Sequence, residues 1–364
     1  MAEASVHRNP PAFLDVELAT HLGGVMARRH RLPASYRPGG LERQLDELTV
    51  LAQERVAAES RLQPPNRPSA RVVDRADWVS LNVLSVERLI GPPMARVAER
   101  RRRRPPAILE RASARSSAAQ LAAVLAWMST RVLGQYDILV GEEASANEDV
   151  ISYVGPNIVA LEQRHGFDPG QFRLWLALHE TSHRAQFTGA DWVRPYFLSL
   201  VEEIVGALAT SGSDLLVGVL RSVRAIAQGR NPMEEMGMAG LLATDAQLKA
   251  LRRLTALMSV LEGHGEVIMD VAAQDLVPDH GRFHDVLRTR RSSPGAPARV
   301  LNQILGLEAK LRQYDDGERF VRRLRQAGGP ELVRQLFDGP DQMPSLAELL
   351  DPEMWLERSS SSTR

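Results

Sequence analysis

The chain has 364 residues, of which 44% are hydrophobic and 25% are charged, as in ordinary soluble globular proteins. The formal net charge is zero, so overall charge favours neither nucleic acid nor an anionic membrane as a partner. Cysteine is absent, which excludes disulfides, thiolate catalysis and cysteine-ligated metals.

The N-terminal residues 1–11 lack the basic start and the apolar core of a signal peptide. No run reaches the roughly eighteen apolar residues that a membrane span requires, so we expect a cytoplasmic protein without a membrane partner. The basic run 100–104 precedes two prolines, as at a solvated helix end. It has no aromatic or glycine-rich neighbours, so we expect no nucleic-acid partner either.

The N-terminal portion, residues 1–130, is expected to be all-helical and without a catalytic signature. Apolar residues recur there at helical spacing, and glycine and proline mark the ends of the helices. The pattern predicts helices over 41–59, 77–90 and 116–133. The second of these is expected to stop at Gly91-Pro92-Pro93.

Two short β-like runs follow, at 134–140 and 150–154, and predict a small sheet immediately before the central motif. Between the sheet and the motif we expect a short helix over 158–164. After the motif, the pattern predicts helices over 193–209 and 213–227, a flexible methionine-containing connection over 229–240, and a long helix from a capping box at 244–247 toward residue 273.

The central motif is the H-E-x-x-H sequence at 179–183, set in an apolar, helix-favouring run. In a helix, His179 and His183 lie four residues apart on one face, close enough to share a metal ion. Two neutral imidazoles can hold Zn²⁺, while the carboxylate of Glu180 takes a proton from the water that the ion acidifies. The alternative, two core histidines with other polar partners, explains the pair less well.

The motif helix also has a clear start signal. Asp168 is expected to be the N-cap and Pro169 the first helical residue, with Gln171 completing a capping-box-like pair. The helix therefore begins about three turns before the motif, which places both histidines in its interior.

A catalytic zinc commonly has three protein ligands, and two helices offer the third. Glu202 and Glu203 have a suitable separation from His183, but they lie on the flank and the far side of their helix. Glu262 shares the inward stripe of the later long helix, where a carboxylate needs a charged partner or a metal. Glu262 is therefore favoured. Glu266, one turn on, could orient a ligand histidine, and His264 could contact a developing oxyanion.

The chain resembles a mainly actinobacterial zincin-like family of zinc-dependent metalloproteases, also labelled deazaflavin coenzyme biosynthesis-associated proteins. The resemblance lies in the runs 153–158, 178–187, 194–201, 262–270 and 306–314. It implies His179, His183 and Glu262 as zinc ligands and Glu180 as the base. It also implies a mainly α fold (α+β), with a small β element before the motif helix.

These observations predict a zinc-dependent hydrolase, a peptidase or amidase that acts on a peptide or a small amide. The alternative is a non-proteolytic accessory protein in cofactor metabolism, with a structural or vestigial metal site. We expect one continuous structural unit. Its parts would be a helical portion over 1–130, a metal-binding portion over 131–355, and a disordered tail over 356–364.

Overall fold

The computed structural model describes residues 13–99, 106–138, 149–206, 245–292 and 307–362. Helices dominate these ranges, as the sequence predicts. In chain order they are α1 (Val16–Arg28), α2 (Pro38–Ser60), α3 (Arg75–Glu99), α4 (Ala107–Met128), α5 (Gly155–His165), α6 (Pro169–Thr188), α7 (Val193–Gly206), α8 (Asp245–Ala273), α9 (His280–Ser292), α10 (Leu307–Arg334, kinked at Gly328 and Gly329), α11 (Leu346–Leu350) and α12 (Pro352–Ser362).

Three strands form one small sheet in the order β1-β3-β2, with β1 at Ser69–Val73, β2 at Gly134–Tyr136 and β3 at Val150–Val154. Both predicted strands are confirmed and pair antiparallel, although β2 ends at Tyr136 and so covers only the first three residues of the predicted run 134–140. Strand β1 runs parallel to β3. The expectation of an all-helical N-terminal portion is therefore wrong at β1. Five residues with little periodicity are extended here because they pair with a buried strand, a context that local pattern does not record.

The motif helix α6 lies in the larger of two hydrophobic clusters, packed against α2 on one side and α8 on another. Its predicted start is confirmed: Asp168 accepts a 2.8 Å hydrogen bond from the Gln171 backbone N–H, and Pro169 is the first helical residue. The Gln171 side chain, however, accepts from the Asp279 backbone N–H at 3.1 Å. It therefore ties α6 to the segment before α9 rather than completing a capping box.

The largest differences from the predicted helices occur at α3, α4 and α12. Helix α3 continues through Pro92 and Pro93, because its last turns are buried at Pro93 and Val97 and tertiary packing offsets the lost hydrogen bond. Helix α4 begins nine residues before its predicted start. Residues 356–362, expected to be a disordered tail, belong to α12, which the fully buried Trp355 holds in the core.

Four predictions lie outside the described residues: the basic run 100–104, the helix over 213–227, the connection over 229–240 and the capping residue Thr244. Within the described ranges, no helix combines the length and apolar character that a bilayer crossing needs.

Candidate metal centre

The two motif histidines face each other on α6. Their Nε2 atoms lie 3.2 Å apart, and the rings are perpendicular with centroids 4.6 Å apart. A tetrahedral zinc with Zn–N bonds of about 2.0–2.1 Å holds two nitrogens about 3.3–3.4 Å apart. The spacing of His179 and His183 therefore fits two ligands of one ion.

The side chain of Glu262, on α8, lies close to the two motif histidines. One ligand atom from each of His179, His183 and Glu262 lies within 4.8 Å of the other two, and all three side chains are half-buried. Among the described residues, no other group of histidine and acidic side chains meets this geometry. Two imidazoles and one carboxylate are a donor set that zinc accepts, so the residues present fit the ion.

The competing carboxylates on α7 point elsewhere. Glu202 pairs with Arg96 of α3 at 2.8 Å and is 56% exposed, and Glu203 pairs with Arg253 of α8. Neither belongs to the group around the histidines.

Gln186 contacts His183, although it was not among the predicted site residues. Its Oε1 lies 3.1 Å from His183 Nδ1, and its Nε2 donates to the Leu261 carbonyl oxygen at 2.7 Å. The side chain is fully buried. The sequence contains a signal for this contact, because a polar residue three positions after His183 on a buried helix lies on the same face as that histidine.

His264 lies beyond Gln186 rather than in an open site. It has no solvent exposure, its Nδ1 lies 2.9 Å from Gln186 Nε2, and its ring packs edge-on against Phe337. Burial above all, and then electrostatic interaction with His183 and Arg325, lowers the pKa of His264 to about 3. The expected contact with a developing oxyanion does not suit an enclosed side chain. Glu266 lies half-buried on the next turn of α8.

Glu180 lies on the sheet side of α6 and is only 6% exposed. A β-carbon on Gly134 of β2 would lie 2.5 Å from Glu180 Oε1 and 2.7 Å from Cδ, so this glycine leaves the space that the carboxylate occupies. Tyr153 of β3 is also near. Burial raises the pKa of its hydroxyl, as do the charges of Glu180 and Asp46, against the opposing effect of its 2.9 Å hydrogen bond with Thr49.

Arg184, directly after the motif, anchors the same side of α6 as Glu180, one turn further along the helix. The guanidinium is fully buried, forms an ion pair with Asp149 and donates to Gln53 of α2 and to the Asn66 carbonyl oxygen. A charge this deep requires such partners, because an unpaired one would cost several kcal/mol. Local sequence pattern does not indicate this role of Arg184, because its partners lie more than thirty residues away along the chain.

The sequence model of a family described as zincin-like metallopeptidase matches residues 14–356, nearly the whole chain. The chain belongs to the zincin-like metallopeptidase family. The motif and the three converging side chains of this zincin-like protein therefore lie within the family's matched region.

Among solved structures, the zincin-like chain is similar to a protein from Chloroflexus aurantiacus that is described as "a putative hydrolase with a novel fold". The two share 24% sequence identity with a TM-score of 0.69, over 95% of this chain and 99% of the other. At this identity the likeness establishes a shared fold. No curated protein matches the chain.

Proposed function

We propose that the protein is a zinc-dependent hydrolase of peptide or amide bonds. The observation that carries the proposal is the convergence of His179, His183 and Glu262, with the Glu180 carboxylate on the adjacent position of the same helix. Family membership supports the hydrolytic reaction class.

Each of these side chains has a distinct role in the proposal. His179, His183 and Glu262 would hold Zn²⁺, which supplies Lewis acidity toward a carbonyl oxygen and lowers the pKa of a water molecule. Glu180 accepts the proton of the attacking water and then delivers it to the leaving amine. Such general acid–base catalysis typically contributes about 10²–10⁴-fold in rate.

The position of the sheet is the reason for proposing an extended peptide as the substrate. In the order β1-β3-β2, the strand β2 lies at one side of the described sheet and packs against the motif helix α6. A peptide could add to that edge by backbone hydrogen bonds, a recurring mode of peptide recognition. A peptide would then lie beside Gly134, whose neighbour in space is Glu180.

The test is the variant Glu180→Gln, which keeps the shape of the side chain but removes its basicity. We expect it to retain one zinc per chain while hydrolysis of a panel of quenched fluorogenic peptides and amino-acid amides falls at least about 100-fold. Zinc is measured by atomic emission on the dialysed protein. Glu203→Gln, the same exchange at a half-exposed ion pair on α7, is the matched control and should keep full activity.

Two outcomes would count against the proposal. If Glu180→Gln hydrolyses as fast as the wild type, Glu180 is not the base. If the zinc-loaded wild type cleaves no peptide or amide in the panel, the alternative of an accessory protein with a structural metal gains support.

A further inference from the structure

One side chain connects the two helices that carry the proposed ligands. Gln186 extends from α6, three residues after His183, and reaches α8 at Leu261 and His264. Leu261 immediately precedes Glu262. The helices are close at this point, since a β-carbon on Gly265 would lie only 3.4 Å from His183 Cε1.

The contacts of Gln186 determine which way its amide faces. A backbone carbonyl oxygen accepts hydrogen bonds and never donates them, so the atom 2.7 Å from the Leu261 oxygen must be the amide nitrogen. The amide oxygen therefore faces His183 Nδ1, 3.1 Å away.

The orientation of the amide in turn determines the tautomer of His183. An amide oxygen only accepts, so His183 Nδ1 must carry the hydrogen in this pair. A neutral imidazole then has its lone pair on Nε2, the atom that faces His179 Nε2. This is the tautomer that a metal at the site requires.

We infer that Gln186 is a positioning residue for the metal: it fixes the metal-binding tautomer of His183 and links that ligand to the helix segment beside Glu262. The inference rests on the proposed function, because it assumes a metal between the histidines and Glu262. Neighbours that orient ligands in this way typically contribute about 10–100-fold to metal affinity.

Two substitutions separate positioning from simple packing. Gln186→Met removes all three hydrogen bonds, whereas Gln186→Glu keeps an acceptor for His183 Nδ1 and loses the donor to Leu261 and His264. We expect Gln186→Met to bind zinc about 10–100-fold more weakly, and Gln186→Glu to bind close to wild-type strength although it is less stable. Affinity is measured by competition with a chromophoric zinc chelator.

A spectroscopic measurement accompanies the affinities. The visible absorption of the Co²⁺-substituted protein reports ligand geometry, and we expect it to change in Gln186→Met and to stay close to wild type in Gln186→Glu. Ser182→Ala is the control, since it removes a buried hydroxyl that bonds the Leu178 carbonyl oxygen within α6. It should change neither the zinc affinity nor the spectrum.

The wild-type chain provides a test that does not depend on how the variants fold. Long-range ¹H–¹⁵N spectra of histidine-labelled full-length protein, recorded before and after zinc addition, should show His183 protonated at Nδ1 in both states. Assignment uses the spectrum of His183→Gln.

The outcomes distinguish the two proposals. If the wild type does not bind zinc, the proposed function and this inference both fall. If the wild type binds zinc but Gln186→Met binds equally tightly, or Gln186→Met and Gln186→Glu lose equal affinity, or metal-free His183 carries its proton on Nε2, only the role of Gln186 is overturned.

Discussion

Helices α7 and α8 pack against each other, and each offers a glutamate as the third ligand, but the two side chains have opposite surroundings. Glu202 on α7 is 56% exposed and pairs with an arginine of α3. Glu262 on α8 is half-buried beside the two motif histidines. Both glutamates have a suitable sequence separation from the motif histidines, so the face of the helix on which each one lies distinguishes them as candidates.

The comparison shows what a carboxylate needs in order to serve as a ligand here. An exposed glutamate already has water and Arg96 as partners, at little cost. A half-buried glutamate beside two imidazoles can serve as a ligand, because its oxygen and the two ring nitrogens converge on one point.

The largest expected effect therefore comes from Glu262→Ala. Loss of one of the three proposed ligands should lower zinc affinity well beyond the roughly 100-fold upper range for loss of an outer contact. The measurement is zinc content after dialysis against a weak chelator, with Glu202→Ala measured in parallel. Glu202→Ala should keep its zinc, and zinc loss in that variant instead would reverse the assignment.

The position of α8 that brings Glu262 to the histidines depends on its crossing with α10. A β-carbon on Gly263 would overlap the backbone of Gly317, so the two helices are in backbone contact there. Glycine weakens a helix by about 1 kcal/mol relative to alanine, and here close packing offsets that cost.

Gly263→Ala should consequently lower the free energy of unfolding by about 3 kcal/mol, the upper end of the usual cost of overpacking, because backbone atoms cannot move aside cheaply. Denaturant unfolding followed by circular dichroism measures the effect. The control is Gly281→Ala on α9, where no described atom lies within 4 Å of the added carbon. A Gly263→Ala chain as stable as the control would show that the crossing is not tightly packed.

A glycine also leaves space for Glu180, whose carboxylate is buried beside Gly134 of β2. Gly134→Ala adds a carbon 2.5 Å from Glu180 Oε1, and we expect the carboxylate to swing away while the zinc ligands stay in place. A displacement near 1 Å can cost about 100-fold in rate, so hydrolysis should fall about 10–100-fold without loss of zinc. Peptide hydrolysis and zinc content are measured on the same sample, and zinc loss would contradict the separation of the two roles.

Local sequence pattern predicted the features for which the residue type and the helical spacing of about 3.6 residues per turn point to the same structure. The cap at Asp168, the i,i+4 histidines and the inward face of Glu262 all follow from local pattern, and the structure places these residues accordingly. The roles of Arg184 and Gly134 escaped it because they depend on partners 35 to 131 residues away. The position of Gln186 on the same face as His183 follows from local pattern, but its contact with Leu261 of α8 does not. Strand β1 and the continuation of α3 through two prolines likewise depend on tertiary neighbours.

The smallest expected effect is that of replacing Glu202, the exposed glutamate on α7. Glu202→Ala removes an ion pair whose side chains are about half-exposed, and such pairs contribute about 0–1 kcal/mol. Alanine also favours the helix slightly, which offsets part of that loss. A double-mutant cycle with Arg96→Ala, measured by denaturant unfolding at low and high salt, should give a coupling energy below about 1 kcal/mol that shrinks with salt. A larger, salt-insensitive coupling would mean that the Glu202–Arg96 pair is shielded from solvent, and exposure would then no longer distinguish Glu202 from Glu262.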